Sequence, residues 1–257
     1  MRANRASLAA DLSRIGVAPG GVVMVHAGLR SVGPVVGGAA TVVHALLDAV
    51  GDQGTIVAYV DFEPFYDPAV DVGIPVFDKR TARAALDHGV LHETLRTWPG
   101  ALRSDHPDAG VVAVGVRADW IVRDHPLQYG YGEGSPFARI VDAGGDVLLL
   151  GAPLETMTLL HLAEHRAHIP DKRIVRYDRL MPTAAGPAWV SFEEFDTTQP
   201  VHPALPEDCF TQIGEACLAA GGGTRGSFGA ATAVRFGARG LVEFAVQWVE
   251  RAVRTAP

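Results

Sequence analysis

The chain has 257 residues, with 22 basic against 29 acidic side chains and a formal charge of −7. Hydrophobic residues make up 48% and charged ones 20%, the profile of a globular protein whose length fits one α/β domain, 1–257. An acidic balance disfavours nucleic acid, no apolar run reaches membrane-span length, and no secretory leader is recognisable, so a cytoplasmic location is expected.

Residues 22–25 open a series of four continuous apolar runs, followed by 55–60, 111–114 and 146–150. Runs without polar alternation read as strands buried on both faces. After the Gly37-Gly38 turn, residues 41–50 place Val42, Leu46 and Val50 on one helical face. Residues 61–79 are rich in Pro, Asp, Phe and Tyr and predict a long loop of a kind that is commonly functional. A helix is predicted over 81–98, with Thr81 as its N-cap and Pro99-Gly100 as its stop. Ser135 followed by Pro136 marks another helix start. Residues 156–168 read as a helix ending before Ile169-Pro170, and 189–196 as a strand. Residues 199–206 carry three prolines, and 221–223 separate two C-terminal helical stretches. Strands alternating with helices predict a mostly parallel central sheet covered on both faces, an α/β/α arrangement.

His161 and Glu164 stand three residues apart on the predicted helix, a spacing that lets a carboxylate orient an imidazole for general-base work; a packing or capping histidine is the structural alternative. His161, His165 and His168, or His88 with His92, invite a metal reading. The order His-x-x-Glu-His provides no third ligand where a zinc site would require one, so no metal is expected and His165 and His168 are read as solvated. Arg30-Ser31-Val32-Gly33 is read as the loop after the first strand and offers backbone amides at a sheet end, though without a Walker or dinucleotide glycine pattern. Asp61, Glu63, Asp67 and Asp71 crowd the irregular loop, either as solvated carboxylates or as the wall of a cation-attracting cleft. Cys209 and Cys217 read as reduced thiols away from these stretches, which argues against a cysteine acyl carrier.

Five stretches in order resemble one family. They are Val25-His26-Ala27-Gly28-Leu29-Arg30-Ser31-Val32-Gly33; Pro99-Gly100-Ala101-Leu102-Arg103-Ser104-Asp105-His106-Pro107; Asp124-His125-Pro126-Leu127; Gly132-Glu133-Gly134-Ser135-Pro136; and Leu148-Leu149-Leu150-Gly151-Ala152-Pro153 leading into Thr158-Leu159-Leu160-His161-Leu162-Ala163-Glu164. The family resembled is that of the aminoglycoside N3-acetyltransferases, in the antibiotic acetyltransferase superfamily and outside the GNAT fold. The resemblance implies a single α/β/α domain that moves an acetyl group from acetyl-CoA to the 3-amino group of 2-deoxystreptamine antibiotics and so confers resistance. It implies His161 as the general base, with Asp196 the first expectation for its supporting carboxylate and Glu164 the second. CoA is expected along Arg30, Ser31, Val32, Gly33, Ser104, His106, Ser135 and Phe137, with backbone amides at 31–33 facing the oxyanion. Asp61, Glu63, Glu93 and Asp196 are expected on the cationic antibiotic's side.

Two departures lie on that side: Thr197-Thr198-Gln199-Pro200 follows Asp196 where relatives have Ser-Asn-Gly, and the loop after Glu63 is shorter. They leave room for a non-antibiotic amine as acceptor. A metallohydrolase or a drug-sequestering protein stands further off. Membrane and nucleic-acid partners are not expected, and the chain is read as a monomer or homodimer.

Overall fold

The computed structural model describes residues 2–62 and 75–255. A seven-stranded sheet has the order β3-β4-β2-β1-β5-β9-β8. Its strands are β1 (Val22–Ala27), β2 (Thr55–Tyr59), β3 (Leu102–Arg103), β4 (Val111–Gly115), β5 (Asp146–Leu150), β8 (Gly223–Phe228) and β9 (Ala231–Gly237). Strand β1 pairs in parallel with β2 and β5, and the outer pairings are antiparallel. Five of the seven strands therefore run in one direction, with β4 and β9 against them. The four apolar runs lie at the heart of this sheet, where both faces are covered.

The period-two geometry of a strand divides each run between two cores. Val22 and Met24 of β1, with Val147 and Leu149 of β5, face one side. That side is covered by α5 (Ala118–Val122), α6 (Pro136–Asp142), α7 (Leu160–Arg166), α8 (Cys209–Ala219) and α9 (Ala238–Thr255). Val23 and Val25, with Leu148 and Leu150, face the other, beneath α1 (Arg5–Arg14), α3 (Gly38–Val50) and α4 (Gly89–Arg96). Ser135 caps α6, its hydroxyl accepting from the Ala138 amide with Pro136 in the first turn, as the sequence predicts. Apart from the sheet, β6 (Ile174–Thr183) and β7 (Gly186–Phe195) form a two-stranded hairpin. No helix among the described residues is long and apolar enough to cross a membrane.

Four expectations change. The helix expected over 81–98 begins only at a 3-10 turn, Leu86–His88, which leads into α4. Thr81 is no cap: backbone groups upstream are taken by side chains, with Arg103 donating to the Ala82 carbonyl and the Ala84 amide donating to Glu93. The helix expected over 156–168 is likewise only Leu160–Arg166, preceded by a 3-10 turn at Leu154–Thr156. Residues 221–223 separate α8 not from a helix but from the β8–β9 hairpin, and the second helical stretch starts at Ala238. The stretch after β1 is a helical turn, α2 (Leu29–Val32), rather than a loop.

Candidate active site

In chain order β1 is followed by β2 on one side, while β5 joins β1 on the other. The crevice beyond the carboxyl ends of such diverging strands is where open α/β sheets hold ligands. A cavity of about 500 Å³ lies there, reaching from His26 and Gly28 at the end of β1 to Pro153 after β5 and His161 on α7. A Cβ on Gly28 would sit 2.5 Å from the Gly151 carbonyl oxygen, so glycine lets the two strand exits touch. An adjoining cavity of about 390 Å³ shares His161, Glu155, Thr197 and Phe210 and adds Glu164, Glu207 and Cys209. A third, of about 190 Å³, meets the first at Tyr59, Tyr131 and Thr197 and carries Asp61, Asp108 and Glu194. Carboxylates thus concentrate around His161 in a chain that is acidic overall.

His161 sits in the first turn of α7, three residues before Glu164. Its Nδ1 lies 2.7 Å from Glu164 Oε2, and the carboxylate is buried. A carboxylate only accepts, so Nδ1 donates and Nε2 is the nitrogen able to take a proton. The ring is packed between Tyr131 and Phe210, with centroids at 4.8 and 4.9 Å. Orientation, burial of the partner and an open cavity on the other side are the requirements of an imidazole base.

The carboxylate that meets the His161 ring is Glu164, the second expectation, whereas Asp196, the first, is bonded elsewhere. Asp196 accepts from the Thr198 amide at 3.0 Å and hydroxyl at 2.7 Å and lies 3.8 Å from Arg173. Thr197 and Thr198, its neighbours, are the residues that line the cavities. Glu93 lines none of these three cavities: it accepts two bonds of 2.7 Å from Arg96 and one from the Ala84 amide, which together hold its carboxyl below the ordinary range. Asp61 is half-buried, bonded to His88, and lines the third cavity. Glu63, with Asp67 and Asp71, lies outside the described residues.

Several residues expected to touch CoA hold the fold together. The Ser104 hydroxyl accepts from the Val111 amide, joining β3 to β4. His106 Nδ1 accepts from the amides of Asp108 and Ala109, while Nε2 donates to the Leu127 carbonyl. Ser135 is a buried helix cap, and Phe137 and Val32 are buried in the two cores. Arg30 and Ser31 are exposed, and Gly33 is half-exposed at the end of α2 with φ 82°. Two of the three amides expected to face an oxyanion are engaged, Ser31 with the Gly28 carbonyl and Gly33 with that of Arg30.

His165 is not solvated: it is largely shielded and pairs with buried Glu194 at 2.8 Å, tying α7 to β7. His168 is exposed as expected. Among the described residues, no three His, Cys, Asp or Glu side chains form a group suited to a metal ion. His92 bonds to the His88 carbonyl, and burial pushes its imidazole down to about 4. Cys209 is nearer the chemistry than its place in the sequence suggests, because it lines the cavity beside His161; burial raises its thiol to about 12.

Sequence reasoning missed Glu155, Glu207, Tyr131, Phe210 and His26. Tyr131 and His26 border or belong to the motifs quoted above and were open to it, whereas Glu207 and Phe210 follow Pro206 in a stretch with no pattern.

The sequence pattern of a family described as aminoglycoside 3-N-acetyltransferase matches residues 24–250. Aminoglycoside N(3)-acetyltransferase III of Pseudomonas aeruginosa is 42% identical over 246 residues, which cover 92% of this chain and 89% of that protein. Among solved structures, AAC-IIIb in binary complex with CoASH gives a TM-score of 0.94 at 47% identity, with 100% of both chains covered. AAC-VIa bound to sisomicin gives 0.90 at 33% identity, with 98% of each chain covered.

Proposed function

The chain belongs to the aminoglycoside 3-N-acetyltransferase family, and from that premise we propose that it acts as one domain to transfer the acetyl group of acetyl-CoA to the 3-amino group of a 2-deoxystreptamine aminoglycoside, with His161 as general base. The observation that carries this reading is the 2.7 Å contact between His161 Nδ1 and buried Glu164 at the wall of the cavity beyond β1 and β5. An amine is protonated at neutral pH and must lose a proton before its lone pair can attack. His161 Nε2 accepts that proton, directly or through a water, and Glu164 stabilises the imidazolium that results. The thioester of acetyl-CoA supplies the acyl group. No covalent enzyme intermediate is needed, and a thiol pushed up to about 12 makes Cys209 a poor carrier.

Glu155, Glu164 and Glu207 around one cavity, and Asp61, Asp108 and Glu194 around another, suit a polycationic acceptor. The donor's reactive arm would lie in the crevice between the exits of β1 and β5, where the buried Nε2 of His26 has no partner among the described residues. The test is thiol release from acetyl-CoA on addition of a panel of aminoglycosides, with the product's acetylated nitrogen identified by mass spectrometry and NMR. Release with kanamycin-type compounds and acetylation at the 3-amino group are the expected result. Silence from a protein that binds acetyl-CoA would overturn the antibiotic as acceptor and point to a different amine.

A further inference from the structure

Attack on the acyl carbon drives negative charge onto the carbonyl oxygen, and that charge needs a hydrogen-bond donor held in place beforehand. The hydroxyls of the 500 Å³ cavity wall are engaged elsewhere. Tyr59 and Tyr131 donate to the Asp108 carbonyl at 2.6 and 3.3 Å. Thr156 donates to the Pro153 carbonyl at 2.7 Å, Thr158 to that of Thr156 at 3.4 Å, and Thr197 is bonded to Tyr177. His26, the penultimate residue of β1, is different. It lines the same cavity, its residue is only 5% exposed, and its Nε2 is the one buried ring nitrogen of that wall left without a partner among the described residues. A buried imidazole nitrogen with nothing to bond is unfavourable, and a ligand can relieve it.

We propose that His26 is a second catalytic group, a neutral imidazole whose Nε2–H donates to the acyl carbonyl oxygen as the oxyanion forms. This rests on the acetyl-transfer reading given above. Burial, with His92 and His88 nearby, pushes the His26 imidazole down to about 3, so the ring is neutral under working conditions. A neutral ring can polarise a carbonyl without competing with His161 for protons.

In the step, one ammonium proton goes to His161 Nε2 and the freed lone pair forms the N–C bond. The carbonyl π pair moves onto oxygen, where His26 holds it. As that pair returns, the C–S bond breaks and the departing sulfur takes the proton from His161. The second nitrogen-bound proton goes to water, leaving the amide.

The experiment compares His26→Leu with His26→Gln, whose amide restores an N–H donor. His26→Leu is expected to lower kcat and kcat/KM alike by about 100-fold, as loss of one oxyanion donor does, while KM for both substrates changes little. His26→Gln is expected to recover part of the rate. Thermal unfolding of each variant reports whether it folds. Independently of turnover, the infrared C=O stretch of ¹³C-labelled acetyl-CoA bound to His161→Ala protein should shift to lower frequency, and the shift should vanish when His26→Leu is added. A kcat for folded His26→Leu within about three-fold of the parent, or a carbonyl stretch indifferent to His26, overturns the assignment. A parent protein that transfers no acetyl group sinks the transfer reading, and this one falls with it.

Discussion

His161 on α7 and His106 in the turn after β3 are both shielded imidazoles near the same end of the sheet, and they differ in what their nitrogens have left to do. His161 uses Nδ1 on Glu164 at 2.7 Å and keeps Nε2 for the cavity. His106 has both nitrogens engaged by backbone: Nδ1 takes two amides, at 3.1 and 2.8 Å, and Nε2 meets the Leu127 carbonyl at 3.1 Å. His125, whose ring centroid is 5.0 Å from that of His106, bonds to the Gly130 carbonyl. One region therefore holds an imidazole that borders open space with one nitrogen uncommitted, and the other uses imidazoles as turn fasteners. Unused bonding capacity beside open space separates a reactive histidine from a structural one better than burial does.

The largest expected effect tests the reactive side. His161→Ala should lower turnover by about 100-fold or more with acetyl-CoA affinity nearly intact; near-normal steady-state rates would erase the contrast. Next comes the support for that ring. Glu164→Gln should cost about 10-fold in kcat, because the imidazolium loses its counter-charge and the ring its fixed tautomer; a rate equal to that of the parent would return the role to another carboxylate. A pH series sharpens the structural side. Folded-state values of about 3 for His26 and His106 and about 4 for His92 and His125 lie below the ordinary 6.5 or so. As pH falls below about 6.5 the unfolded chain binds protons that the folded one refuses, so stability should decline towards pH 4. In urea unfolding followed against pH, His106→Gln should flatten that slope by about 1.4 kcal/mol per pH unit; an unchanged slope would mean that His106 is not buried neutral.

The central strands were legible because they are buried on both faces, so that β1 and β5 show as unbroken apolar runs. Edge strand β8 was not, since Thr224, Arg225, Gly226 and Ser227 point largely to solvent and imitate a loop. Strand β6 alternates Arg176 and Asp178 with half-buried residues and hid for the same reason. In the site, His161 with Glu164 could be read because both lie within one turn of one helix. Position in the resembled family favours Asp196 over Glu164, and only the fold shows that Thr198 and Arg173 hold Asp196. Glu155 and Glu207 come from segments about fifty residues apart and meet only when α8 packs on the turn after β5, so no local pattern announces them.

Cys209 gives the cavity a further property. A thiol beside a bound thioester is a ready recipient for acyl exchange, which would strand the acetyl group on the protein and stall turnover. Burial, with Glu164 and Glu155 nearby, pushes that thiol up to about 12, so it stays protonated and weakly nucleophilic at neutral pH. The same burial that seats Phe210 against the His161 ring thus keeps the Cys209 sulfur a poor nucleophile, which on the reading proposed above leaves the acceptor amine to attack.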